Sequence, residues 1–435
     1  MELSALTLQH FRSYKKGVFQ FSPKITLIIG PNTAGKTNIL EGIFCLATGK
    51  SFRAEKESDM VRWGEQIARV QATINPTNQT NLTNPTNRKN TSENNEEIYL
   101  ELVVTTGEVN GEKAPTKKYL VNGVPRRQID FVGNIRAVLF APGDLELITD
   151  SPSLRRQYLN SVLVQTDREY RRNLYSYERG LRQRNKLLDL INEGKAQRSQ
   201  LLFWNQLLIA SGSYITEKRE ALIEFINKSQ VLSCHSGPPA RRCYASSVAG
   251  GRAGILKISH PDYAKASPGT QVRDDTSLSY QIIYDKSVIS ESRLLQYKNE
   301  EIAAKSTLVG PQRDDFSITK LTTSPPAAMQ QLRAGNSPLA TTPRDVSRFG
   351  SRGEQRLAVL WLKVAELNYI ESETESRPIL LLDDIFSELD EESREIVLSI
   401  IYKQQTIITS AEEEVEELFG NNKNTYVIRL PIDTI

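Results

Sequence analysis

The segment Gly30-Pro31-Asn32-Thr33-Ala34-Gly35-Lys36-Thr37 has the spacing G-x-x-x-x-G-K-[ST]. Glycines in such a loop let backbone N–H groups turn toward a phosphate, and a following helix presents its positive end to the same anion. Lys36 is then placed to meet the β- and γ-phosphates of a nucleotide, and the Thr37 hydroxyl to ligate Mg²⁺. An ordinary glycine-rich turn is the plainer alternative. The flanking pattern argues against it, because an apolar run, Lys24–Ile29, precedes the loop. After it, Ile39, Leu40, Ile43 and Leu46 recur at helical spacing.

Far along the chain, Ile379-Leu380-Leu381-Leu382 ends in Asp383-Asp384. An apolar run of this kind reads as a buried strand that delivers its acids to a site at its C-terminal edge. Asp383 is the expected Mg²⁺ partner, and Asp384 is placed to orient or deprotonate an attacking water. Adjacent residues of a strand point to opposite sides, so the two acids are expected to face apart. Between the loop and the acids lies Phe349-Gly350-Ser351-Arg352-Gly353-Glu354-Gln355-Arg356, just before a helix-like run. Ser351, Gly353 and Gln355 suggest a second anion site at a helix N-terminus, against the alternative of a simple cap at Ser351. One γ-phosphate does not need two such sites from one subunit, so a second copy of the chain is expected to complete the pocket.

These residues must be positioned by a sizeable core. A chain of 435 residues exceeds one ordinary domain, and 39% hydrophobic with 25% charged residues suits a globular protein. No apolar stretch reaches membrane-spanning length, the first residues lack a signal layout, and three cysteines make no disulfide framework. The expectation is therefore a cytoplasmic protein. A net charge of +3 is too small to diagnose a nucleic-acid partner. Strands are expected at Leu3–Leu8, Gly17–Phe21, Ala68–Ile74, Ile98–Val104 and Tyr119–Asn122, and Cys45 is expected to pack rather than react. From about Ser151 the texture becomes helical. Tyr170, Leu174, Tyr177, Leu181 and Leu188 keep a heptad-like rhythm among many arginines, and a second run carries Trp204, Leu207, Leu208, Ile215, Leu222 and Ile226. The organisation that follows is an α/β head from residues 1–150 and 300–435, interrupted by a mainly helical arm at 151–299. Asn75–Glu97, Ser233–Gly254 and Thr322–Thr342 read as loose surface insertions. Cys234, His235 and Cys243 fall in the second and make only a weak zinc pattern.

Several further segments make the resemblance specific. Phe11-Arg12-Ser13-Tyr14, Gly49-Lys50-Ser51-Phe52-Arg53, Phe140-Ala141-Pro142-Gly143-Asp144-Leu145, Gln183-Arg184-Asn185, Gly310-Pro311-Gln312-Arg313-Asp314-Asp315 and Ser387-Glu388-Leu389-Asp390 accompany the loop and the paired acids. Together they resemble the RecF family of ABC-type, SMC-like ATPases across nearly the whole chain. The resemblance implies a P-loop ATPase head with a mixed β-sheet, and ATP and Mg²⁺ as cofactors. It also implies an ATP-dependent homodimer that binds DNA at single-strand gaps or junctions and works with RecO and RecR to promote RecA loading. Gly143, Asn160 and Gln312 depart from the family pattern. The stretch Thr406–Ser410 offers only hydroxyls where many ABC ATPases place a histidine.

The loop, signature segment and acids would equally suit the ATPase subunit of a membrane transporter. The basic helical insertion between the two motif sets favours a DNA clamp instead, and the arm is too short for a long-armed structural protein. Arg168, Arg171, Arg172, Arg182 and Arg184 are the expected phosphate contacts, weighed against a merely solvated basic face. Asp384, shorter than the usual glutamate, points to slow hydrolysis accelerated by DNA.

Overall fold

The computed structural model describes residues 1–75, 97–229, 233–235, 242–244, 279–322, 342–411, 413–420 and 425–430. Two sheets sandwich one helix. The first strands, β1 (Glu2–Phe11) and β2 (Tyr14–Gln20), form an antiparallel hairpin. They extend through β4 (Ile67–Asn75), β5 (Ile98–Thr105), β6 (Lys117–Val121) and β7 (Val124–Arg126) in the order β2-β1-β4-β5-β6-β7. Leu3 and Leu6 both face the core although they are three positions apart. A register irregularity between Leu3 and Ala5 restores the phase, as a bulge must when one face is buried.

The second sheet is parallel. β3 (Ile25–Ile29), β8 (Ala137–Phe140), β12 (Ile379–Asp383), β13 (Thr406–Ser410) and β14 (Thr425–Arg429) lie in the order β8-β12-β13-β3-β14. Strands β12 and β13 are buried along their whole length, which explains the unbroken apolar run Ile379–Leu382 of β12. Between the sheets runs α1 (Lys36–Thr48), every residue of which except Thr37 is buried. Its Ile39, Leu40 and Ile43 share one core cluster with Leu6 and Leu8 of the antiparallel sheet and with Leu381 and Ile407 of the parallel one. Cys45 is buried in this cluster and burial pushes its thiol up, so it packs as an apolar side chain. Strands of both senses are present, divided between separate sheets.

The other face of the parallel sheet is covered by α2 (Pro152–Thr166) and α5 (Arg352–Thr374). Beyond them α3 (Arg168–Asn192) and α4 (Leu201–Lys228) pack along one another, with Tyr170 and Tyr177 in one buried cluster with Leu208, Ile215 and Leu222. A third sheet, β9 (Ser279–Asp285), β10 (Asp315–Thr322) and β11 (Thr342–Asp345), is antiparallel, and its β9–β10 ladder joins residues on the two sides of the expected boundary at 299/300. Most of the three expected insertions lies outside the described residues. Within Ser233–Gly254, Ser233–His235 and Arg242–Tyr244 form a short antiparallel ladder rather than irregular chain.

The segment Gly310–Asp315 ties helices to sheet. Asp314 is fully buried, receives Arg219 Nη1 at 2.8 Å and accepts the Ser287 N–H at 2.7 Å, while Asp315 takes a two-pronged contact from Arg155 at 2.6 and 3.0 Å. Gly310 has φ 124°, and a Cβ there would lie 2.2 Å from the Tyr177 hydroxyl, so only glycine fits. Two of the family departures sit in this junction. Asn160 accepts from Tyr170 Oη (2.6 Å) and Arg219 Nη2 (3.0 Å), and Gln312 accepts from the Tyr177 hydroxyl.

Candidate nucleotide site

The phosphate-type loop Gly30–Thr37 leaves β3 at the C-terminal edge of the parallel sheet and enters α1. Gly35 caps that helix at φ 88°, with the Tyr14 ring so close that a Cβ would meet its hydroxyl at 2.8 Å. Tyr14 therefore buttresses the loop from the antiparallel sheet. Lys36 is folded across its own loop, its ammonium donating to Gly30 O at 2.6 Å and Pro31 O at 3.0 Å. Burial lowers its pKa, opposed by the charges of Asp384 and Asp383. A cation held by two loop carbonyls is one that phosphate oxygens arriving in the loop can take over.

Strand β13 separates β12 from β3, so Asp383 reaches the loop across one intervening strand. The Thr37 hydroxyl donates to Asp383 Oδ1 at 3.0 Å, and the Thr409 hydroxyl donates to the same oxygen at 2.8 Å. Burial raises the Asp383 pKa, while these hydroxyls and the nearby Arg53 charge pull it down. Thr409 thus has a positive role that its reading as a missing histidine overlooked. Its oxygen also accepts the Asp384 N–H at 3.1 Å, binding both acids to one buried side chain.

Asp384 corrects a second expectation. It does not continue the strand: β12 ends at Asp383, and Asp384 turns into the left-handed region at φ 51°. The alternation of a strand does not set its direction; a turn aims it, and the next residues form a short 3₁₀ turn, Ile385–Ser387.

One part of the surrounding scaffold went unread in the sequence. Glu41, fully buried on α1, receives Arg12 through Nε at 2.9 Å and Nη2 at 2.6 Å, Arg53 Nε at 3.1 Å and Ser51 Oγ at 2.5 Å. Asn38 Nδ2 adds a bond to Ser13 Oγ at 2.7 Å. The segments Phe11–Tyr14 and Gly49–Arg53 therefore converge on the helix that carries Lys36 and Thr37. The available signal was an acid amid the apolar face of α1, which in a buried helix demands a cationic partner.

The signature segment lies apart. Ser351 caps α5, its Oγ accepting the Glu354 N–H at 3.2 Å while Glu354 Oε2 accepts the Ser351 N–H at 2.9 Å, a reciprocal capping box. Glu354 also pairs with Lys320 at 2.7 Å, and this pairing lowers its pKa. Ser351 is exposed and Gly353 half-buried, whereas Gln355 is buried with its amide on Val346 O at 3.2 Å. Among the described residues no hydrogen bond or ion pair joins Ser351, Gly353 or Gln355 to Gly30–Thr37. The expected basic face also needs correction. Arg184 is 2% exposed and ion-paired with Glu301 at 2.7 Å, and Arg171 is half-buried on the carbonyls of Ile129 and Val164. Both are interior braces of the arm.

Known proteins resemble this chain in sequence and fold. The family model described as RecF/RecN/SMC N terminal domain matches residues 2–429. The DNA replication and repair protein RecF of Herpetosiphon aurantiacus is 33% identical over 100% of this chain and 98% of its own. The chain belongs to the RecF family. A solved structure of the recombination mediator protein RecF-ATPrS in the RecFOR pathway superposes with a TM-score of 0.68 at 25% identity, covering 99% of this chain and 96% of the other. The corresponding RecF-ATP structure also gives 0.68 at 25% identity, covering 94% and 92%. The fold is that of an ABC-type ATPase of the SMC-like class, and the family is one of ATP-binding ATPases. No described helix is long and apolar enough to cross a membrane.

Proposed function

We propose that the protein is an ATP-dependent DNA-binding ATPase of replication and recombinational repair, closing as a homodimer at single-strand gaps or single-strand/duplex junctions. The observation that carries this reading is the bonding of Asp383 to both Thr37 and Thr409. It supports a site built from both ends of the chain, with the capped helix at Ser351 left for a partner. In this reading Gly30, Pro31, Asn32, Thr33, Ala34 and Gly35 wrap the phosphates, Lys36 leaves its carbonyls for the β- and γ-oxygens, and Asp384 orients the attacking water. The N-terminus of α5, with Ser351 and Gly353, meets the γ-phosphate held by the partner.

The Thr37 hydroxyl and the Asp383 carboxylate, 3.0 Å apart, fit Mg²⁺, which in such sites takes one or two protein oxygens and leaves the rest to phosphates and water. Held by Thr37 and Asp383, Mg²⁺ would offset the negative charge of the bound phosphates. The head at 1–150 and 300–435 is read as the ATPase, and the arm at 151–299 as the part that answers DNA. Family membership favours RecO and RecR as partners in loading RecA and disfavours the transporter reading, as does the helical insertion between the motif sets.

Steady-state phosphate release with and without gapped DNA is the test. Turnover well below the roughly 10 s⁻¹ typical of enzymes, raised by DNA and abolished in Asp384→Asn with ATP binding intact, is expected. Fast turnover indifferent to DNA, or full activity in Asp384→Asn, would overturn the reading.

A further inference from the structure

Helix α3 buries Tyr170, Tyr177 and Leu188 and brings Arg184 inward, so its opposite face is free to be read on its own. That face carries Arg168, Arg172, Tyr175, Arg179, Arg182 and Lys186, all exposed. Their steps of four and three residues keep them in one line, roughly 27 Å long at 1.5 Å per residue. The near end is partly neutralised, since Arg168 lies 2.6 Å from Asp130 and Arg172 lies 3.7 Å from Glu169. The far end is not: among the described residues Arg179, Arg182 and Lys186 have no ion-pair partner. Tyr175, 55% exposed, stands one turn before these three cations. It also lines a cavity of about 510 Å³ between arm and head, whose walls include Arg156, Gln157 and Asn160. Arg156 donates to Asp314 O at 2.9 Å and, among the described residues, forms no ion pair with a side chain.

We infer that this face binds single-stranded nucleic acid, with phosphates along Arg179, Arg182 and Lys186 and one unstacked base on Tyr175 at the cavity mouth. A row of cations alone would serve a duplex equally well. An exposed aromatic ring set in that row, beside a cavity of a size that holds small ligands, suits a base that has left its stack. The charge complementarity is with a polyanion, and the geometry selects the single strand. This inference rests on the DNA-binding reading above and names where the strand lies.

Fluorescence anisotropy of the full chain, saturated with a non-hydrolysable ATP analogue, with a labelled oligo-dT and with a blunt duplex of equal length, across a salt series, tests it. The triple variant Arg179→Gln, Arg182→Gln, Lys186→Gln is expected to lower the salt slope for the single strand by about 2, at roughly 0.7 per phosphate contact. Tyr175→Ala is expected to weaken single-strand binding about tenfold and leave the duplex unchanged, while Tyr175→Phe keeps wild-type affinity. Wild-type affinity and slope in the triple variant overturn the inference, as does an equal loss on both DNAs in Tyr175→Ala. A wild-type chain that binds neither DNA overturns the underlying DNA-binding reading instead.

Discussion

At the scale of single residues, the site depends on one hydroxyl. Thr409 is fully buried, donates to Asp383 and accepts from the Asp384 backbone, so it holds the proposed metal-binding acid and the proposed water-orienting acid in one frame. Thr409→Val keeps the shape and removes both bonds. It is expected to cost about 1–3 kcal/mol of stability, because the buried Asp383 carboxylate loses a donor. Turnover should fall at least about tenfold through the misplaced Asp384, with ATP affinity little changed, and Thr409→Ser should restore most of both. Denaturant titration and phosphate release check this; a Val variant with wild-type values in both would remove Thr409 from the site. The left-handed turn at Asp384 also makes Asp384→Asn a clean probe, since asparagine tolerates that conformation whereas alanine does not.

At the scale of elements, α3 shows why identical side chains on one helix are not interchangeable. Arg184 and Arg182 are two residues apart and face opposite ways. Arg184 sends Nη2 to Glu301 and Nη1 to Thr307 Oγ1 at 2.8 Å, and Nε to Asn205 Oδ1 at 2.8 Å. Arg184→Ala leaves Glu301 buried without its cation and is expected to destabilise by about 3–5 kcal/mol. Arg182→Ala removes an exposed side chain and should stay within about 0.5 kcal/mol. Urea midpoints distinguish them, and equal losses would mean the arm is not braced at Arg184. The same logic applies at Gly310–Asp315, where Arg219, Arg155 and Tyr177 hold the arm helices against the third sheet. This segment braces the arm and makes none of the contacts of the nucleotide site.

At the scale of the whole molecule, the proposed dimer accounts for the lack, among the described residues, of any hydrogen bond or ion pair between Ser351 and Gly30–Thr37. In a two-fold dimer each subunit offers its own loop and receives the other's helix N-terminus, so two equivalent sites close together. Sedimentation with a non-hydrolysable ATP analogue should give a dimer, and without it a monomer. Ser351→Arg should bind the analogue and remain monomeric, because the added bulk and the loss of the cap lie only at the partner-facing end of α5. A wild-type chain that is monomeric at micromolar concentration in both conditions would refute closure by nucleotide.

Much of this site was legible in the chain as written. The spacing Gly30–Thr37 between an apolar run and a helical one specifies a phosphate loop locally, since the needed N–H groups, the lysine and the hydroxyl all come from eight consecutive residues. The run Ile379–Leu382 of β12 likewise announces a strand buried on both faces. The rest depends on partners distant in sequence. Nothing near Arg184 signals Glu301 or Thr307, and nothing near Asp383 signals Thr409; only the sheet order puts β13 between β12 and β3. Asp384 leaves its strand at φ 51° with its N–H shared by the carbonyl and hydroxyl of Thr409, which alternation alone does not encode. Helical periodicity marks which residues share a face, but packing decides which face is buried. That decision turned Arg184 and Arg171 into braces and left Arg179, Arg182 and Lys186 to solvent.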